Sequence, residues 1–332
     1  MDSLTQIVLG AACGEVALGK KLGNKAMLYG AIAGTIPDLD VLASNFTDTT
    51  MALHMHRGFT HSILFAMVFS PLLAWLVSKY EKYKDIKGWT WLFFLAFITH
   101  PLLDAHTTWG TQLFWPFDLR LAFKTIFVID PLYTFPFLIF LILAMLRHRT
   151  DVKRRKYNNW GLIISSSYLL LTVVLKFTTL SYFKDSLKSE GITYAEIDTR
   201  PAPLNTILWS ANIDTKDAYL LGNYSFFDSK PVSWTAYDKN HHLIKDIIDN
   251  ERVKRMIHIS KGWYSISQEG EKLFFNDLRF GLLSMQAGSQ DFVFKYEITK
   301  DKEGMIVFTE VEKSSRDGKK LIKELFERIK GN

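Results

Sequence analysis

His56-Arg57-Gly58-Phe59-Thr60-His61-Ser62 stands directly before the apolar run Ile63 to Val77, so two imidazoles and a guanidinium meet the start of a segment suited to hydrocarbon. Ionisable groups at that depth are costly and tend to line functional cavities. Pro37-Asp38-Leu39-Asp40 lies upstream and His100-Pro101-Leu102-Leu103-Asp104 downstream. His and Asp therefore recur where apolar segments begin or end, which predicts a metal site embedded in a membrane protein.

The run after His61 is one of six apolar segments. Ile7 to Leu18, with Gly10, Gly14 and Gly19, has the small-residue texture of close helix packing in a bilayer, and Ala26 to Ala43 is a second segment of this kind. Both approach the lower limit of the ~20 residues that span hydrocarbon. Ile63 to Val77, Trp89 to Leu103, Ile126 to Leu146 and Trp160 to Tyr182 are stronger, each with Trp or Tyr close to an end. The rival reading, buried helices of a soluble bundle, fits poorly with the basic connections. The opening Met1-Asp2-Ser3-Leu4-Thr5-Gln6 lacks the basic start of a secretory signal.

Charge orients these segments. The whole formal excess of +6 lies in residues 1–182, where Lys and Arg outnumber Asp and Glu by 17 to 11, while residues 183–332 balance at 23 each. The excess gathers in three clusters, Lys20 to Lys25, Lys79 to Lys87 and Arg147 to Lys156, which follow the first, third and fifth segments. Such clusters mark cytoplasmic loops, so the chain is expected to be a multi-pass protein of the cell's inner membrane. Asp38, Asp40, His56, His61, His100, Asp104 and Asp130 then fall on the non-cytoplasmic side. A nucleic-acid partner is not expected, because the basic residues occupy short loops rather than a folded face. The single Cys13 makes no intrachain disulfide.

Beyond Phe183 the apolar runs shorten and alternate. Ile207 to Ile213, Tyr219 to Phe227, Val232 to Tyr237, Phe274 to Phe280, Phe292 to Ile298 and Met305 to Val311 read as strands. Asp246 to Ser260 and Gly318 to Ile329 read as helices, the second with Leu321, Ile322, Leu325, Phe326 and Ile329 on one face. The expected fold is a membrane α-helical bundle of about six segments, residues 1–182, followed by a soluble α+β domain with an antiparallel sheet, residues 183–332. By the topology above, the C-terminal domain is non-cytoplasmic.

The chemistry follows from spacing. His100 and Asp104 are four apart, so on a helix they differ by about 40° and can hold one ion from one face, although Pro101 suggests a kink or boundary there. His56 and His61, five apart, would be splayed by about 140° on a helix; Gly58 suggests a loop instead. Imidazole with carboxylate suits zinc, with manganese or iron as alternatives. The candidate ligands are Asp38, Asp40, His56, His61, His100, Asp104 and Asp130, enough for a two-metal site that activates water for phosphoryl displacement. Asp38, Arg57 and Asp104 are the catalytic candidates, Arg57 for a phosphate or carboxylate and a spare Asp for the proton. The plainer readings are a hydrogen-bonded core histidine and an aspartate that merely caps a helix. Glu15 reads as a partner orienting a ligand or as an interhelical hydrogen bond, and His106 as a neighbour of the site. His148, His241, His242 and His258 read as solvated surface. Trp109-Gly110-Thr111-Gln112 and Trp115-Pro116-Phe117 form an aromatic loop on the same face, a substrate wall or an interfacial anchor.

Met1-Asp2-Ser3-Leu4-Thr5, Pro37-Asp38-Leu39-Asp40, His56 to Ser62, His100 to Asp104, Thr108-Trp109-Gly110 and Ile129-Asp130-Pro131 together resemble the YdjM-like family of membrane-bound metal-dependent hydrolases. The resemblance continues through Asn205-Thr206-Ile207-Leu208-Trp209 and Asp277-Leu278-Arg279. It implies clustered metals, a hydrolase more distantly similar to zinc-dependent phospholipases C and single-strand nucleases, and metal binding at the seven positions named above. Where that family usually opens with Thr-His, this chain has Thr5-Gln6.

The reading is a membrane-bound metal-dependent hydrolase acting on a phosphoester or other ester of a lipid-like substrate, with membrane lipids around it. A metal-binding transporter would thread polar residues across the bilayer rather than gather them at one end. A receptor or scaffold with a structural metal would saturate the ion with protein ligands.

Overall fold

Asp2 caps the first helix by accepting from the Thr5 amide at 3.1 Å, which satisfies one of the donors a helix start leaves open. That helix, α1 (Ser3–Gly14), runs through a π-helical turn at Glu15–Gly19 into the short α2 (Lys20–Leu22). Gly23 turns the chain into α3 (Asn24–Thr35), and Pro37 opens a 3-10 helix, Pro37–Phe46. There follow α4 (Thr49–Met55), a 3-10 turn at Phe59–His61, α5 (Ile63–Tyr80), α6 (Ile86–Asp104), α7 (Pro131–Met145) and the 38-residue α8 (Val152–Ser189). The computed structural model describes residues 1–284, 286, 288–312 and 318–332.

Four helical stretches among the described residues are long and apolar enough to cross a membrane: Asn24–Phe46, Ile63–Tyr80, Ile86–Asp104 and Val152–Ser189. The expected count of six is larger because it includes the runs at Ile7 to Leu18 and Ile126 to Leu146. These form α1, 12 residues that continue as helix through the π-helical turn to Leu22, and α7, which at 15 residues is shorter than a ~20-residue span.

Helices α1 and α3 pack backbone to backbone. A Cβ on Gly10 would lie 2.2 Å from the Gly30 carbonyl oxygen, and one on Gly34 would lie 2.5 Å from that of Gln6. Only glycine permits this approach, as the small-residue texture predicts. Its consequence is positional, since it brings Gln6 and the end of α3 together beside α6.

By contacts within the chain, Met1–Leu42, Met55–Val174 and Pro203–Asn205 form one compact unit, and Ala43–His54, Leu175–Ala202 and Thr206–Asn332 form another. The second unit takes in the end of α8 from Leu175, because Leu175 and Tyr182 pack against a cluster in which Phe183 and Leu187 are buried with Trp209, Ala211 and Ile213. It contains two four-stranded antiparallel sheets instead of one. The first is β1 (Glu196–Pro201), β2 (Leu208–Asp214), β3 (Ala218–Ser225) and β4 (Thr235–Asp238); the second is β5 (Tyr264–Glu269), β6 (Lys272–Leu282), β7 (Phe292–Lys300) and β8 (Ile306–Glu310). Each runs in simple sequence order. Helix α9 (Glu251–Ile259) follows the first sheet and α10 (Gly318–Ile329) the second. His241, expected on the solvated surface, is instead half-buried: its Nε2 bonds the Tyr264 carbonyl at 2.9 Å and its ring stacks on that tyrosine.

Candidate metal centre

Four side chains converge at the ends of three elements in the helical unit. Asp38 lies in the first turn of the 3-10 helix that Pro37 opens, which is where the chain leaves α3. His61 ends the 3-10 turn before α5, whose start is capped by Ser62 accepting from the Phe65 amide at 3.0 Å. His100 and Asp104 occupy the last turn of α6, one above the other. Pro101 does not end this helix, which continues to Asp104.

The donor atoms are closely spaced. His61 Nε2 and His100 Nε2 are 3.2 Å apart. Asp38 Oδ1 lies 3.4 Å from each of them, and Asp104 Oδ2 lies 3.5 and 3.6 Å from the same two nitrogens. Tetrahedral bonds of about 2.0–2.2 Å to nitrogen and carboxylate oxygen imply ligand-to-ligand edges of roughly 3.3–3.6 Å. All four atoms lie within 4.8 Å of one another, and this is the set that could hold an ion.

Hydrogen bonding assigns both imidazoles. His100 Nδ1 donates to the Gly34 carbonyl at 2.7 Å. Thr60 Oγ1 donates to Asp40 Oδ2 at 3.2 Å and so accepts from His61 Nδ1 at 3.0 Å. Each Nε2 is therefore left with a lone pair aimed at the other, an arrangement that favours a cation beside both. The carboxylate supports the same conclusion. Asp104 Oδ1 accepts from Gln6 Nε2 at 3.0 Å and meets the Met1 ammonium, whereas Oδ2, on the side of the imidazoles, makes no hydrogen bond and has the Arg57 guanidinium as its ion-pair neighbour. His61, His100 and Asp104 are buried; Asp38, at 25 % exposure, is the side from which solvent reaches the group.

The other expected site residues take different places. Arg57 is buried in a left-handed backbone conformation, φ 58°. Its Nε lies 3.2 Å from Asp104 Oδ2 and its Nη1 donates to Thr107 Oγ1 at 2.9 Å. Asp40 adjoins the four without joining them: one oxygen pairs with His56 Nδ1 at 2.9 Å, while the other accepts from the Arg57 amide at 2.6 Å and sits 3.5 Å from His61 Nδ1. His56 is half-exposed against Trp109. Asp130 caps α7 through the Leu132 and Tyr133 amides and accepts from the Tyr168 hydroxyl at 3.0 Å. Of seven expected ligands, the structure thus brings four together, sets two beside them and leaves Asp130 as a helix cap.

Glu15 is not a partner of these residues. Arg154 grips it with two bonds, at 2.8 and 2.6 Å, and also donates to Asn24. His106 bonds Thr125 Oγ1 at 2.9 Å, and burial holds its imidazole below the usual range. Thr60 and the Gly34 carbonyl, which hold the two Nδ1 atoms, stand outside the expected set. Thr60 was visible inside the histidine stretch, but a backbone carbonyl carries no residue signal.

Residues 1–179, which hold all four donors, match the family described as YdjM inner membrane protein. The chain belongs to the YdjM inner membrane protein family. Two relatives are similar in sequence. The inner membrane protein YbcI of Escherichia coli (strain K12) is 34% identical over 104 residues, 31% of this chain and 60% of that protein. YfhP of Bacillus subtilis (strain 168) is 32% identical over 142 residues, 40% of this chain and 42% of that protein. The chain therefore matches less than two thirds of the length of either. No solved structure matches. The family description and the apolar helices make this a membrane protein of the YdjM family with a candidate metal site.

Proposed function

We propose that this YdjM-family member is a metal-dependent hydrolase of a phosphoester, or another ester, on a lipid-like substrate. The observation that carries this reading is the pair of imidazole Nε2 atoms facing each other across 3.2 Å, flanked by two carboxylate oxygens. A bound divalent ion, zinc before manganese or iron, supplies Lewis acidity and activates water. The chain supplies the rest. Asp104 and the two histidines form the buried floor, their outer atoms fixed by Gln6, Gly34 and Thr60. Asp38, on the solvent side, is placed to take a proton, and the Arg57 guanidinium to meet an anionic oxygen of the substrate.

With the short α7 counted as a crossing, the basic clusters at Lys20 to Lys25, Lys79 to Lys87 and Arg147 to Lys156 support a multi-pass arrangement with the site and C-terminal domain on the non-cytoplasmic side. Membrane lipids are then its neighbours and the substrate's source.

One feature favours a second reading. Four converging protein donors, five of their six separations at 3.2–3.6 Å, are as many as a structural, closed site uses, so the alternative is a receptor or scaffold stiffened by its metal. Elemental analysis of detergent-purified protein, followed by a screen of phospholipids and other phosphoesters, tests both. Metal with turnover, each lost in His61→Ala, supports the hydrolase. Stoichiometric metal with no turnover on any ester supports the scaffold, and absence of metal after supplementation rejects both.

A further inference from the structure

The loop that leaves α6 after Asp104 and enters α7 at Pro131 has its polarity inside out. Phe114, Trp115, Phe117, Leu119 and Phe123 are exposed, Phe117 by 73 %. Most of the polar groups are tied to protein: buried Gln112 donates from Nε2 to the exposed Asp118 at 3.0 Å, half-buried Arg120 donates from Nη2 to the His56 carbonyl at 3.0 Å, and Lys124 is buried. Asp118 apart, this is the reverse of what water selects, since charged side chains ordinarily take the outside of a surface loop.

The loop's backbone is also fixed. Thr111 and Leu121 form an antiparallel bridge, the Phe123 amide donates to Ala105 at 2.7 Å, and the Gln112 amide donates to the Arg57 carbonyl at 2.9 Å. The exposed aromatics are therefore held outward by a hydrogen-bonded frame. Both ends of the loop continue directly into apolar helices, one of them long enough to span the bilayer, so the loop lies at a membrane boundary. Non-helical backbone is tolerated there only when its polar groups are satisfied by protein, and aromatic rings favour that depth.

We propose that residues 113–123 insert among the acyl chains of the adjacent leaflet and form a lipid-embedded lip beside the metal centre. Because Gln112 and Arg120 bond the backbone of Arg57 and His56, the lip and the site form one hydrogen-bonded assembly. The inference goes beyond the hydrolase reading and stands whether or not the centre turns over an ester.

The test uses the full chain reconstituted in lipid bilayers, in a Cys13→Ser background that leaves no other thiol. Phe117→Cys and, separately, Leu119→Cys carry an environment-sensitive fluorophore, with Lys216→Cys, exposed in the C-terminal domain, as the aqueous control. Emission at 117 and 119 should shift to the blue and be quenched by nitroxide attached to acyl chains, while 216 shows neither. Water-like, unquenched emission at both loop positions would overturn the proposal. So would a blue shift that resists nitroxide lipid and disappears as protein is diluted in lipid, which would assign the patch to a second copy of the chain.

Discussion

His61 and His100 meet Nε2 to Nε2 at 3.2 Å because each has committed its Nδ1 to a partner outside the centre. Neither ring is free to turn and donate to the other. Replacing either by alanine removes a donor and opens the set, so bound metal should fall to background in His61→Ala and His100→Ala, measured per chain by elemental analysis. A variant that still copurifies with a full complement of metal would contradict the assignment.

Asp40 predicts a graded effect. It lies beside His61 Nδ1 and accepts from the Arg57 amide and the Thr60 hydroxyl, so it orients the ligand without being one of the four. Loss of such outer partners typically weakens metal affinity by about 10–100-fold. Asp40→Asn should bind at unchanged stoichiometry with affinity reduced in that range, as read by competition with a chelator. Asp130→Asn, at the start of α7, should leave affinity at the wild-type value.

Much of this site could be read from residue spacing, and what could not has physical causes. The interval of four between His100 and Asp104 survives because α6 continues through Pro101. Asp38 and Asp40 are indistinguishable in sequence; a 3-10 path aims one at the imidazole Nε2 atoms and the other at His61 Nδ1. Asp130 misleads because a cap and a ligand call for the same residue at the same place, the turn before an apolar helix. In the second unit, six of the strands coincide with alternating apolar runs, but β1 and β5 were not anticipated. β1 buries Asp198, Thr199 and Arg200, with Arg200 bonded to Asn212 at 3.2 Å, and its one apolar side chain at the cluster is Ile197, so it shows no alternating apolar run. The aromatic loop was legible as aromatic; its inward-turned charges were not.

The Glu15–Arg154 pair is buried and bidentate, and it ties the π-helical turn after α1 to the start of α8. Removing one partner of such a pair leaves a buried charge and costs about 3–5 kcal/mol, whereas replacing both by apolar groups is often neutral. Arg154→Met should therefore lower thermal stability in detergent sharply. The double variant with Glu15→Leu should recover most of the loss, and failure to recover would mean that the pair does more than compensate charge.

Gly30 is a steric test of how the centre is built. A Cβ there would stand 2.1 Å from the Gly10 carbonyl oxygen, against backbone that has no flexible end to yield. Gly30→Ala must push α1 and α3 apart, at about 1–3 kcal/mol by analogy with overpacked cores, and the Gly34 carbonyl that fixes His100 lies one turn along. Lower thermal stability together with weaker metal binding is expected, the second read by chelator competition on protein that remains monodisperse.

Gln6 supplies the last prediction. Its Nε2 holds Asp104 Oδ1 at 3.0 Å, while its Oε1 is buried with no hydrogen-bond partner. Gln6→Leu keeps the bulk and removes the donor, so metal affinity should fall by about 10–100-fold, as for other outer partners. Gln6→His does something different, placing an imidazole against the face of Asp104 that the four-donor set leaves unused, and a carboxylate can bridge two ions. Metal per chain should then exceed that of the wild type on elemental analysis. An unchanged count would mean that the Asp104 Oδ1 face belongs to Gln6 and the Met1 ammonium alone, leaving a single ion at the two histidines.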